Sequence, residues 1–206
     1  EWMINFFGSS PALELAGKVE RRLHAIGPSQ YDAWLLVEFD PGVGWFCERP
    51  PVDIELLPVE GKRRPLDFWL RRRSGKQSGV VLHDAALARD KACPLDLLER
   101  SIARSELKCE VWQATDIRNR TTYLRNLKQL QPFVGIDQPS DEHLAKGLLA
   151  HLDRVRTATW EELATLFASR FEGVVNSEIA RPIHAGRVKA NLAEHALASN
   201  TMLSVP

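Results

Sequence analysis

Residues 29–39 place Tyr31, Trp34, Leu35 and Val37 or Glu38 at helical spacing behind Pro28. This predicts a helix capped by Ser29 and stopped by Asp40-Pro41-Gly42. Short β-like runs follow at 43–47, 52–57, 67–73 and 79–83. Proline, glycine and polar residues separate them, the signature of a meander of about four strands. Pro94 opens a second helix in which Leu95, Leu98, Ile102 and Leu107 keep the helical period, with Glu99, Arg100 and Arg104 facing outward. Residues 109–114 read as a last strand. Helix, meander, helix and strand together predict an α/β class, a mixed sheet flanked by helices.

The pattern breaks at residues 136–140, where Gly, Pro, Asp and Ser precede an acidic helix start. A boundary there divides the chain into domains 1–135 and 136–206. Beyond it, 140–154 and 159–167 read as helices, the second opened by a capping box of Thr159 with Glu162. A short helix is expected near 176–181. Residues 187–192 and 201–205 alternate as strands around a turn at 193–200. Three helices followed by a β-hairpin is the winged-helix order, used for duplex DNA in some proteins and for protein docking in others.

With 27 basic and 27 acidic residues, the 206-residue chain is not a polyelectrolyte. The one charge feature is the run from Lys62 to Lys76, where Lys62, Arg63, Arg64, Arg71, Arg72, Arg73 and Lys76 face the single acid Asp67. No apolar stretch approaches the roughly 20 residues of a membrane span. No basic-then-apolar leader is seen at Glu1, so no membrane association and a cytoplasmic location are expected, nucleoid-associated when on DNA. Cys47, Cys93 and Cys109 lie too far apart for a zinc site, and the six histidines show no ligand spacing. No metal site is expected. Gly42 and Gly44 do not make a phosphate loop, and no GxSxG nucleophile motif is present. The tryptophans Trp34, Trp45, Trp69, Trp112 and Trp160 read mainly as core packing.

Four segments in order carry a resemblance. Residues 35–43 (LLVEFDPGV) with Cys47-Glu48-Arg49-Pro50, and residues 63–70 (RRPLDFWL), are the first two. Thr115-Asp116-Ile117-Arg118 with residues 123–127 (YLRNL), and residues 186–192 (GRVKANL), complete the set. They resemble the TnsA family, the endonuclease subunit of heteromeric cut-and-paste transposases. The resemblance implies a restriction-endonuclease-like, PD-(D/E)xK fold followed by a winged-helix domain. It also implies a TnsB-like transposase, a TnsC-like AAA+ ATPase and DNA, at transposon ends or target, as partners.

Family members hold Mg²⁺ with a helix glutamate, the strand aspartate and an acid or amide two residues before a lysine on the next strand. Mg²⁺ requires oxygen ligands, and the lysine polarises the attacking water. Matched residue by residue, the helix glutamate becomes Gln30 and the strand aspartate remains as Asp67. The acid-x-Lys pair becomes Val81 with His83 or Leu82 with Asp84, according to register. The expectation is therefore a TnsA-like subunit that has lost catalysis, needs no cofactor, and serves in DNA binding and in docking of the transposase and ATPase. The alternative is an active Mg²⁺-dependent endonuclease with a set rearranged around Asp32, His83 and Asp84. DNA contacts are expected from Arg63, Arg64, Arg71 and Arg73 on the basic run, and from Arg181, Arg187 and Lys189 on the third helix and wing.

Overall fold

A computed structural model describes residues 12–16, 21–25, 27–56, 61–135, 140–168 and 174–206. Strands β1 (Ala12–Ala16) and β2 (Arg21–Ala25) form an antiparallel ribbon. Helix α1 (Pro28–Phe39) follows, with proline in its first turn where a missing N–H does no harm. It is buried on nearly all sides, through Gln30, Asp32, Ala33, Trp34, Leu35, Val37, Glu38 and Phe39, as befits a helix at the centre of a fold.

Strands β3 (Val43–Glu48), β6 (Phe68–Arg72), β7 (Gln77–His83) and β8 (Cys109–Gln113) form one sheet in the order β3-β6-β7-β8. The first three are antiparallel, and β8 joins β7 in parallel after α2 (Ala88–Lys91) and α3 (Leu95–Arg104). The expected meander is corrected in one place. Strand β4 (Asp53–Glu55) leaves the sheet and pairs with β5 (Arg63–Pro65) in a separate ribbon. Pro50, Pro51 and Pro65 flank or enter that ribbon and lack the N–H groups a central strand must donate.

In β7, Val80 and Leu82 pack with α1, while Val81 packs with Ile54, Leu56, Leu66 and Leu98 on the other face. The period of two thus divides the sheet between two hydrophobic clusters. Strand β3 departs from it: Val43 and Phe46 are buried, whereas Gly44 and Trp45 between them are exposed. A bulge causes this, since Val43 pairs with Arg72 and Trp45 with Arg71. The extra residue shifts the phase and turns the indole outward.

Helices α4 (Ala114–Arg118) and α5 (Thr121–Val134) lead to α6 (Glu142–Val155), β9 (Thr157–Thr159), α7 (Trp160–Ala168), α8 (Val175–His184), β10 (Lys189–Ala190) and β11 (Met202–Ser204). The last three strands form a small sheet in the order β10-β11-β9. Asp141 caps α6 by accepting from the His143 and Leu144 N–H groups. The Thr159–Glu162 capping box forms as expected: Thr159 N donates to Glu162 Oε2 at 2.7 Å, and Glu162 N to Thr159 Oγ1 at 3.2 Å. The Thr159 N–H, with the Thr159 hydroxyl beside it, holds the Glu162 carboxyl below its ordinary value.

The proposed boundary stretch 136–139 lies outside the described residues, but the regions on its two sides share a core. One cluster runs from Trp34 and Phe68 through Leu124, Leu127 and Leu130 of α5 to Ile179, Ile183 and Leu203. Asn126, fully buried, donates to the carbonyls of Leu192 and His195 at 2.7 Å and accepts from Leu197 N at 2.8 Å. Gly186, at φ +72°, lies against Pro41 so closely that a Cβ there would sit 2.5 Å from the proline Cβ. The described residues before 136 and after 139 therefore contribute to one hydrophobic cluster. No helix among the described residues is long and apolar enough to cross a membrane.

Candidate functional site

Asp67 precedes β6, at the point where the β6–β7 ladder ends while β7 continues. Its backbone N donates to Val80 O at 2.8 Å, and its carboxylate Oδ2 accepts the Leu82 N–H at 2.7 Å. The carboxylate therefore takes the place of the missing strand partner, satisfying a buried N–H that would otherwise be costly. Arg64 lies over the same spot. Its Nη2 donates to Leu82 O at 2.5 Å, contacts Asp90 Oδ1 at 3.0 Å and lies 3.8 Å from Asp67 Oδ2. Asp90 Oδ2 in turn accepts the Asp84 N–H at 2.9 Å. Arg64, Asp67 and Asp90 are all at most 5% exposed, so the one guanidinium offsets part of the charge of two buried carboxylates, which backbone N–H groups also solvate.

The two residue pairs that the sequence offers on β7 lie on opposite faces of the sheet. Leu82 and Asp84 fall on the α1 side, and Val81 on the other with His83 by alternation. Leu82 is 1% exposed within the core. Asp84 accepts from Ser29 Oγ of α1 at 2.7 Å and from Ala86 N at 3.1 Å, and pairs with Arg118 at the end of α4. Arg118 Nη2 also donates to Ser29 Oγ at 2.6 Å. Burial pushes the Asp84 carboxyl up, but the Ser29 hydroxyl, the Ala86 N–H and Arg118 outweigh it and hold the carboxyl below its ordinary value. Gln30 is buried in the first turn of α1 beside Ser29. Asp32, the acid of the alternative set, pairs instead with Lys128 of α5 at 2.7 Å. His83 is buried, and its Nε2 has no hydrogen-bond partner.

These residues do not fit Mg²⁺, which needs several oxygen ligands free to turn toward it. Gln30 offers only a neutral amide, and Leu82 is a buried hydrocarbon. Asp67 is committed to a backbone N–H beside a guanidinium that would repel a divalent cation. Asp84 is already paired with Arg118. Among the described residues, no group of three or more His, Cys, Asp or Glu side chains is placed to hold a metal ion.

The residues expected to meet DNA have different fates. Arg64 is corrected from surface cation to buried structural ion, because its guanidinium satisfies Asp67, Asp90 and a strand carbonyl. Arg63 is exposed on β5 directly across from Glu55. Arg71 and Arg73 are exposed, as are Arg187 and Lys189. Arg181 is half-buried and pairs with Glu178 of its own helix. Helix α8 itself packs against α5, α6 and α7, burying Val175, Ser177, Glu178, Ile179, Ala180, Pro182 and Ile183. At its end, His184 Nε2 meets Glu38 Oε1 of α1 at 2.7 Å. Most of α8 is thus committed to packing, and Asn176 with part of Arg181 is what it leaves at the surface.

Sequence reasoning missed Asp90, Glu38 and His184, and read Trp45 as core although it is 38% exposed. Only Glu38, an acid inside the apolar run of α1, left a trace in the sequence. No family model matches the chain, and the comparison with curated proteins found no match.

Proposed function

We propose that this protein is a catalytically degenerate TnsA-like subunit of a DNA transposition machine. It contributes DNA binding and docking of a TnsB-like transposase and a TnsC-like ATPase rather than strand cleavage. The carrying observation is the Asp67 carboxylate, which is spent on the Leu82 N–H inside an ionic network closed by Arg64. The order of helix, antiparallel strands, helix and parallel strand agrees with a PD-(D/E)xK scaffold. The order α6, β9, α7, α8, β10, β11, with β11 central in its sheet, agrees with a winged helix. Because most of α8 is committed to packing, the winged helix serves as a docked module whose exposed Arg187 and Lys189 add charge at its edge. In this reading the buried carboxylates hold the fold that once held the metal.

The test is reconstitution of the full chain with the transposase, the ATPase, transposon-end DNA and Mg²⁺ or Mn²⁺. The expected result is a complex that contains this chain, with a cleavage pattern that Asp67→Asn leaves unchanged. Metal-dependent cleavage that disappears in a folded Asp67→Asn protein restores the endonuclease reading. Failure to join the complex removes the docking role.

A further inference from the structure

The bulge in β3 builds a feature that the degenerate site does not use. It turns Trp45 outward opposite Arg71, whose guanidinium carbon lies 5.5 Å from the indole centroid. The register continues from Arg71 to Gln77 of β7, so Trp45, Arg71 and Gln77 form one row across three strands. In the neighbouring row, Trp69 lies between Cys47 and Gly79, and its Nε1 donates to Gln77 Oε1 at 2.8 Å. Arg73 and Lys76, in the β6–β7 turn, add two more exposed cations. Arg71, Arg73 and Lys76 form no ion pair among the described residues; the acid Asp40 is taken by Arg72.

We infer that this outer strip of the sheet, Trp45 and Arg71 with Arg73 and Lys76, binds single-stranded DNA. Phosphates meet the cations, and an unpaired base stacks on the Trp45–Arg71 pair. The inference deepens the proposed function and rests on its claim that DNA is a partner. Charge complementarity selects a polyanion, and the exposed indole selects its single-stranded form, because a duplex hides the faces of its bases and an unpaired strand offers them. An acidic peptide would use the cations but leave the indole idle, which is what the test separates.

The full chain is titrated with a labelled oligo-dT strand and with a blunt duplex of equal length, and binding is followed by anisotropy over a range of salt. The expected order is single strand tighter than duplex. Trp45→Ala weakens the single strand about fivefold to a hundredfold, and Trp45→Phe keeps most of the affinity. Arg73→Ala with Lys76→Ala lowers the salt slope for the single strand by up to about 1.4. Thermal melting shows that each variant is folded. Single-strand binding indifferent to Trp45→Ala overturns the inference, as does a wild-type chain that binds neither probe. Duplex binding untouched by Trp45→Ala, with the single strand no tighter, overturns it while leaving the DNA role of the proposed function in place. Loss of transposase association in Trp45→Ala, with oligo-dT binding intact, marks the strip as a protein surface and overturns it too.

Discussion

Arg64 and Arg71 belong to one basic run and lie on strands of neighbouring hairpins, yet their surroundings are opposite. Arg64 is enclosed by Asp67, Asp90 and the Leu82 carbonyl at 5% exposure. Arg71 stands in solvent against one face of Trp45. A charge removed from the first place leaves two buried carboxylates without their guanidinium, whereas a charge removed from the second leaves only water behind. The contrast teaches that the basic run carries two separate duties, holding the sheet at one end and presenting cations at the other.

Breaking the buried end has the largest expected effect. Arg64→Ala should lower the unfolding free energy by about 3–5 kcal/mol in a denaturant titration, the range for stripping one partner from a buried ionic cluster. A loss under about 1 kcal/mol would place Arg64 with the surface arginines. Next comes the joint between the two halves, where His184→Ala removes one partner of the buried Glu38 carboxylate; about 1–3 kcal/mol is expected, the range for a lost hydrogen bond to a buried charged group. If the halves melted separately in this variant, their shared core would not be cooperative. Thr159→Ala removes one arm of the capping box and should cost about 1 kcal/mol.

Smaller still is an effect seen in acid. Asp84 titrates below its ordinary value, so its contribution is present above the unfolded-state pKa of about 3.9 and is lost as pH falls through the lower folded value. Arg118→Ala should flatten the stability curve below about pH 4 and leave its neutral-pH shape unchanged, which urea titrations at stepped pH would show. At the exposed end, Arg71→Ala should change stability by no more than about 0.5 kcal/mol. That null result, set beside Arg64→Ala, sharpens the contrast most economically.

Much of this fold is legible in the chain. The strands around Phe68 and Val80 follow from alternation, because burial on one face imposes a period on the sequence; α1 is legible from Pro28 and the Asp40-Pro41-Gly42 stop, and the Thr159–Glu162 box from its two residues. Helix α5 was equally legible, since Leu124, Leu127, Leu130 and Val134 recur at helical spacing, yet it went unread. The candidate site was legible in kind only: Gln30, Asp67, Leu82 and Asp84 are the residues at the positions the TnsA resemblance points to, and residue types are all a sequence gives of a ligand set. Where each charge ends up is decided by tertiary contacts that leave no periodic trace. Asp90 reaches Arg64 from a four-residue helix, and His184 reaches Glu38 across the chain. The Trp45 bulge was hidden for a related reason, because one inserted residue shifts the phase of a strand without altering its composition.

The central claim is that Asp67 serves the sheet and not a metal. Calorimetric titration of the full chain with Mn²⁺, beside Asp67→Asn, tests it directly. The account predicts no saturable heat from either protein, together with a lower denaturation midpoint for Asp67→Asn because the neutral amide loses its ionic contact with Arg64. Stoichiometric Mn²⁺ binding by the wild type that vanishes in a folded Asp67→Asn protein would contradict it.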